Sequence, residues 1–208
     1  MVELLNRVMK RLAHARLSRR LGALGPGSMV VRPELITGGK GIFLGAGVYV
    51  MPHARLECVP SAGGGLGRIE IGDATVAQLY LHIGAAESVR LGRRVLLAGR
   101  VYISDHDHAW PPGEEDRLVS DPVEIGDECW LGEGCAVLKG VTLGPRCVVG
   151  ANAVVTRSAP AGSMLAGVPA RVIKRYDDMT GRWVRVGAEP ERPEREAPAA
   201  AGAPGGRR

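Results

Sequence analysis

Stepping along the chain in sixes from Ile125 lands on Ile125, Leu131, Val137, Leu143, Val149 and Val155, an aliphatic side chain every time. The next residue in each case is Gly126, Gly132, Leu138, Gly144, Gly150 and Thr156. Four positions beyond the first five aliphatics stand Cys129, Cys135, Val141, Cys147 and Ala153, none larger than valine. The same spacing joins Leu91, Leu97 and Ile103, then Ile71, Ala77 and Ile83, and more loosely Leu44, Val50 and Leu56. A helix brings side chains back to one face about every 3.6 residues and a strand every second residue, so neither explains this period. The pattern predicts an all-β triangular solenoid. Each unit forms a short parallel strand and a corner, three units complete a turn, and the aliphatic points inward. Glycine is expected to permit the tight corner, and the small residue to fit the narrow vertex.

The ends of the chain read differently. Residues 1–22 place Leu5, Val8, Met9, Leu12 and Leu17 at mostly helical spacing with no glycine or proline before Gly22, which predicts an amphipathic helix. Residues 188–208 contain no Val, Ile, Leu, Met or aromatic side chain, so nothing there offsets the entropy of ordering and a disordered tail is expected. The solenoid domain is then expected over residues 23–187. Inside it the register fails after Ile103 and resumes only at Ile125, with Ser104-Asp105-His106-Asp107-His108 opening the gap. A long excursion carrying two of the chain's 5 histidines is the first candidate for a functional site.

Composition supports the thin solenoid: glycine is 30 of 208 residues and aromatics only 4%, so the core must be layered from Val, Ile and Leu. The net charge of +5 is confined to residues 1–20, where six basic side chains face one acidic one, while the remainder balances. A basic groove for nucleic acid is therefore not expected. The same charge would give residues 1–21 at most a weak contact with an anionic membrane surface. No apolar run approaches the roughly 20 residues of a membrane span, and no secretory h-region is evident. Three of the 4 cysteines, Cys129, Cys135 and Cys147, occupy the small-residue position, which predicts packing in a reducing cytoplasm; Cys58 has no assignment. The run from Gly63 to Gly67 lacks dinucleotide spacing and reads as a flexible insertion.

The six-residue pattern over roughly residues 40–157 resembles the hexapeptide-repeat proteins, which implies a left-handed parallel β-helix. Three further runs are similar to the acyltransferase branch of that family, which includes the galactoside and maltose O-acetyltransferases and their polysaccharide-modifying relatives. They are Val101 to His108, Val123 to Gly132, and Val148 to Arg157 followed by Ala166 to Lys174. The resemblance implies transfer of an acetyl group from acetyl-CoA to a hydroxyl of a sugar or polysaccharide precursor. It also implies a histidine general base, no metal, and a homotrimer with each active site between two subunits.

A hydroxyl is a poor nucleophile until its proton is taken, and an imidazole suits that task near neutral pH. Counting back from Trp130, the resemblance implies His106 as the base; counting forward from the preceding coil implies His108. Alternation along an extended segment would put both on one face. Asp105 and Asp107 are candidates for fixing the imidazole tautomer. The resemblance further implies that Gln78 stands where the galactoside enzymes carry an amide, and that Ala86, with Glu87 beside it, replaces an acidic acceptor-binding position. It implies that Trp130, Glu133 and Ala151 border the pantetheine channel, and that Thr156, Arg157, Arg171 and Lys174 meet the phosphate or adenine end of CoA. Cations suit those phosphates.

Three other readings compete. Within the acetyltransferases, a xenobiotic enzyme would act on an antibiotic hydroxyl. A zinc carbonic-anhydrase-like protein would draw on His82, His106 and His108. A non-catalytic scaffold would have no reason to interrupt its coils with a histidine-bearing excursion.

Overall fold

A computed structural model describes residues 14–61, 64–109 and 117–186. Three parallel sheets make the faces of a triangular prism. The first face contains Ala23–Leu24, Ile42–Leu44, Arg68–Ile71, Ser88–Leu91, Val123–Ile125 and Thr142–Leu143. The second contains Met29–Val30, Tyr49–Val50, Val76–Ala77, Leu96–Leu97, Trp130–Leu131, Val148–Val149 and Ser163–Gly167. The third contains Leu35–Thr37, Arg55–Cys58, His82–Ala85, Tyr102–Ser104, Ala136–Val137 and Val154–Val155. The chain visits the faces in that order, coil after coil, as a left-handed parallel β-helix.

The predicted inward positions form the core. Ile71, Leu91, Ile125 and Leu143 stack on the first face, and Ala77, Leu97, Leu131 and Val149 on the second. Ile83, Ile103, Val137 and Val155 stack on the third. All of these are buried, as are Cys129, Cys135, Val141, Cys147 and Ala153 at the vertices. Cys58 is an inward residue too, two positions past Leu56, and burial pushes its thiol up to about 11.

The role expected for glycine needs correction. The left-handed backbone position is the third residue past each inward aliphatic, and mostly non-glycine residues fill it: Ala74, Tyr80, Arg94, Arg100, Glu128, Arg146 and Asn152 all have φ between 54° and 62°. The glycine directly after the aliphatic is needed for a different reason. Gly72, Gly92, Gly126 and Gly144 stack at the corner between the first and second faces, where the next coil passes too close for a side chain. A Cβ on Gly126 would lie 2.6 Å from the Pro145 nitrogen, and one on Gly72 2.6 Å from the Gly92 carbonyl carbon.

The first strand is Ala23–Leu24, ahead of the six-residue pattern that becomes recognisable only near residue 40. Leu24, Val30 and Ile36 form the first coil, with Leu24 and Ile36 only partly buried. Residues 14–20 are helical, and Leu17 packs on the core. The rest of the expected helix, residues 1–13, lies outside the described residues, as do the expected tail at 188–208 and part of the Gly63–Gly67 insertion. At the other end, Ser163–Gly167 turns back into the antiparallel strands Ala170–Asp177 and Arg182–Arg185.

Every departure from six-residue steps falls at one corner, where the third face leads into the first. Extra residues separate Ile36 from Leu44, Leu56 from Ile71, Ile83 from Leu91 and Ile103 from Ile125, although all of these remain in register within their faces. The extra inward side chains Ile69, Val89 and Val123 fill the widened corner and are fully buried.

Candidate functional site

The longest of these departures builds the site. Ser104 ends the third-face strand, and its hydroxyl accepts the His106 N–H at 3.2 Å and donates to the His106 carbonyl at 2.8 Å, turning the chain outward. His106–His108 then pairs antiparallel with Leu118–Ser120, and the Asp121 N–H closes the neck on the Asp105 carbonyl at 2.8 Å. Asp105 itself points inward and is fully buried. Its Oδ1 accepts the Ala86 N–H at 2.8 Å and its Oδ2 the Glu87 N–H at 2.8 Å. His106 Nδ1 lies 2.8 Å from the same Oδ1, with the imidazole 17% exposed. A carboxylate can only accept there, so Nδ1 carries the proton and Nε2 the lone pair. The ring rests on Gly84, where a Cβ would come within 3.2 Å of His106 Cε1.

A cleft of about 400 Å³ opens beside this imidazole. Arg55, Glu57, His82, Gly84, Tyr102 and Ser104 line it from the third face, with His106, Asp107, His108 and Leu118 from the hairpin. The expectation that the two histidines share a side holds: both face the cleft, His106 half-buried and His108 exposed. Of the two candidate tautomer-fixing aspartates, Asp105 does that work. Asp107 instead pairs with Lys139 at 2.7 Å. On the floor, Glu57 Oε1 pairs with the Arg55 guanidinium at 2.9 Å and lies 2.9 Å from His82 Nε2. Partial burial holds His82 below the usual imidazole range, against the pull of Glu57.

The remaining candidates lie elsewhere on the prism. Gln78, Glu133 and Ala151 are exposed at the corner between the second and third faces, and Trp130 projects from the second face at 55% exposure. Glu133 is paired with Arg100 at 2.5 Å. Within one chain, then, Gln78 is separated from His106 by the width of the third face. Thr156 and Arg157 follow the last third-face strand, while Arg171 and Lys174 sit on the strand that folds back at the same end of the solenoid. Ala86 is buried and serves the site through its backbone N–H, while Glu87 accepts the Ser120 hydroxyl at 3.2 Å. Sequence reasoning missed Arg55, Glu57, Gly84 and Tyr102. A signal existed: Arg55, His82 and Tyr102 each precede an inward residue of the third face by one, which places them in one outward column.

Among the described residues no group of three or more His, Cys, Asp or Glu is placed to hold a metal ion, and His82 and His106 are each bonded to a carboxylate instead. No helix among them is long and apolar enough to cross a membrane.

Residues 122–157 match the bacterial transferase hexapeptide family (six repeats). WbbJ of Escherichia coli strain K12, provisionally named a lipopolysaccharide biosynthesis O-acetyl transferase, is 41% identical over 130 residues, covering 57% of this chain and 66% of its own. The galactoside O-acetyltransferase of the same organism is 36% identical over 114 residues, covering 53% and 55%. The chain thus spans a little under two thirds of the first relative and about half of the second. Among solved structures, a hexapeptide-repeat acetyltransferase of Vibrio cholerae in complex with acetyl-CoA superposes with a TM-score of 0.60 at 22% identity, over 81% of this chain and 79% of that one, a likeness of fold.

Proposed function

Because the chain belongs to the hexapeptide-repeat transferases, we propose that it is an acetyl-CoA-dependent O-acetyltransferase acting on a hydroxyl of a sugar or polysaccharide precursor. The observation that carries this reading is the fully buried Asp105 holding His106 by Nδ1 at the rim of a cleft. Nε2 is thereby left as a base. In the reaction, Nε2 takes the proton of the acceptor hydroxyl as its oxygen attacks the thioester carbonyl. The tetrahedral intermediate collapses by breaking the carbon–sulfur bond, and the imidazolium returns its proton to the departing CoA thiolate. Products are the acetyl ester and free CoA, with no covalent enzyme intermediate.

The donor is assigned to the cationic end of the solenoid. Arg157, Arg171 and Lys174 supply charge for the CoA phosphates, and Thr156 a hydroxyl beside them. Trp130, Glu133, Ala151 and Gln78 lie one face away from His106, so they complete the site in an assembly where a second copy presents its second face to the third face of the first. A homotrimer does this. Its support is the apolar outer column of the second face, where Tyr49, Leu96 and Trp130 are register neighbours through Val76 and are 40%, 52% and 55% exposed. The test is release of CoA thiol from acetyl-CoA in the presence of sugars, polysaccharide fragments and hydroxylated antibiotics, with the products identified by mass. Acetyl esters of sugars, formed by the wild type and lost in His106→Ala, support the reading; acetylation of amines alone, or activity indifferent to His106, overturns it.

A further inference from the structure

We propose that Glu57 is the residue that selects the acceptor, and that it selects neutral polyols, accepting a hydrogen bond from a second hydroxyl one or two carbons from the one that reacts at His106. This inference rests on His106 being the base of a hydroxyl acetylation.

Glu57 is an outward residue of Arg55–Cys58, half-buried on the cleft floor. Arg55 and His82 both reach its Oε1, each at 2.9 Å. Two partners on one oxygen hold the carboxylate on the cleft floor, and a carboxylate, with about four lone-pair sites, keeps the capacity to accept from a ligand. Its position relative to the base follows from the sheet. Glu57 is the register partner of Gly84, and the His106 imidazole rests on Gly84. The His106 backbone belongs to the hairpin, but its ring lies over Gly84, on the strand next to that of Glu57, so imidazole and carboxylate share one side of the sheet one strand spacing, roughly 4.8 Å, apart. A ligand that satisfies both needs two oxygens close together on one carbon skeleton.

Charge and shape narrow the class further. The Arg55 guanidinium compensates Glu57, and burial favours the neutral form of His82, so the floor has little net charge to attract an anionic acceptor. Tyr102 stands edge-on to His82 with ring centroids 5.1 Å apart and borders the cleft, offering an apolar wall to the C–H face of a sugar ring. A site built to bond a substrate hydroxyl rejects analogues that lack it, because its own polar group is then left unpaired.

The experiment uses the full chain, acetyl-CoA, methyl α-D-glucopyranoside and methyl β-D-galactopyranoside, and the monodeoxy analogues of each. For the wild type, one deoxy analogue is expected to have kcat/KM about ten- to a hundredfold below its parent, the worth of a hydrogen bond to a charged group. In Glu57→Met, checked for folding by its melting temperature, the ratio of parent to that analogue should collapse to near one. Equal use of parents and all analogues by the wild type overturns the proposal without any variant being made. Survival of the preference in Glu57→Met overturns it as well. His106-dependent acetyl-CoA hydrolysis with no transfer to any pyranoside removes the polyol subsite alone. Absence of both hydrolysis and transfer in the wild type overturns the acetyl-transfer reading beneath it.

Discussion

The Asp105 carboxylate and the His106 imidazole are consecutive in sequence yet face opposite ways, one into the core and one into the cleft, and still meet at 2.8 Å. The Ser104 hydroxyl makes this possible by bonding both the N–H and the carbonyl of His106. Asp105 is in turn held by the N–H groups of Ala86 and Glu87, in the coil before. The imidazole is thereby anchored to the body of the solenoid and not merely to its own hairpin.

His106→Ala should lower turnover by about 10²- to 10⁴-fold, the usual worth of a positioned general base. Asp105→Asn should also lower turnover while leaving the KM for acetyl-CoA near its wild-type value. It should cost about 1–3 kcal/mol of stability as well, because a backbone N–H loses its acceptor. His108→Ala should have the smaller effect on turnover. Steady-state kinetics on the three variants, read beside their melting temperatures, checks this. If His108→Ala is the most damaging, the base has been assigned to the wrong histidine.

Gly84→Ala is expected to displace the imidazole. The added Cβ would stand 3.2 Å from His106 Cε1, closer than carbon atoms pack, so the ring must shift by a few tenths of an ångström. Reactions that depend on alignment are sensitive to small misplacements, so turnover should fall at least about tenfold while acetyl-CoA binding, followed by calorimetry, persists.

The glycine column makes a prediction about stability and not chemistry. In Gly126→Ala the new methyl would meet backbone atoms of the next coil at 2.6 Å, which no rotamer can relieve. A loss of about 1–3 kcal/mol in urea unfolding is expected, in the range for overpacked cores. Gly64→Ala has open space around its Cβ, though its φ of +81° strains any side chain, and it should cost less.

His82 should give stability a pH dependence. Its folded value lies below the ordinary 6.5, so the unfolded chain binds the proton first as pH falls. Above 6.5 the group contributes nothing to the balance; below it, folding loses stability until the folded value is passed. Thermal melts between pH 7.5 and 5 should show a decline that is shallower in His82→Asn. An identical decline in the variant would assign it to other groups.

Assembly should depend on the second face. Leu96→Lys places a charge in the apolar outer column between Val76 and Trp130, and should shift the mass seen by light scattering from about three chains of 22.0 kDa toward one.

Much of this structure is legible in the sequence because a solenoid converts chain distance into spatial position. The inward positions from Leu91 to Ile103, and again from Ile125 to Val155, follow from counting alone. Leu24, Val30 and Ile36 obey the same count, but the register slips between Ile36 and Leu44, which hides the first coil from anyone extending the pattern backward. His106 is legible because the repeat breaks beside it. Asp105 is legible only as one of two candidates for orienting the ring; its anchoring is not, since its partners Ala86 and Glu87 are 19 and 18 residues away. Glu57 escapes notice for a related reason: it lies two coils before His106, behind the insertion that ends at Gly67, and counting across that insertion fails.

The prism also acts as a ruler. Ile125 and Leu143 are register partners eighteen residues apart, so each such block of sequence adds one strand spacing, about 4.8 Å, along the axis. The hairpin that carries His106 leaves just before Val123, and the cations Arg157, Arg171 and Lys174 gather where the coils end. The axial reach between them is therefore a whole number of coils, set by gene length and not by the fit of any one side chain. Inserting one more coil after Val137 would leave each coil's own packing intact, yet move the cationic end one graduation away from His106. A donor of fixed molecular length would then no longer span the two.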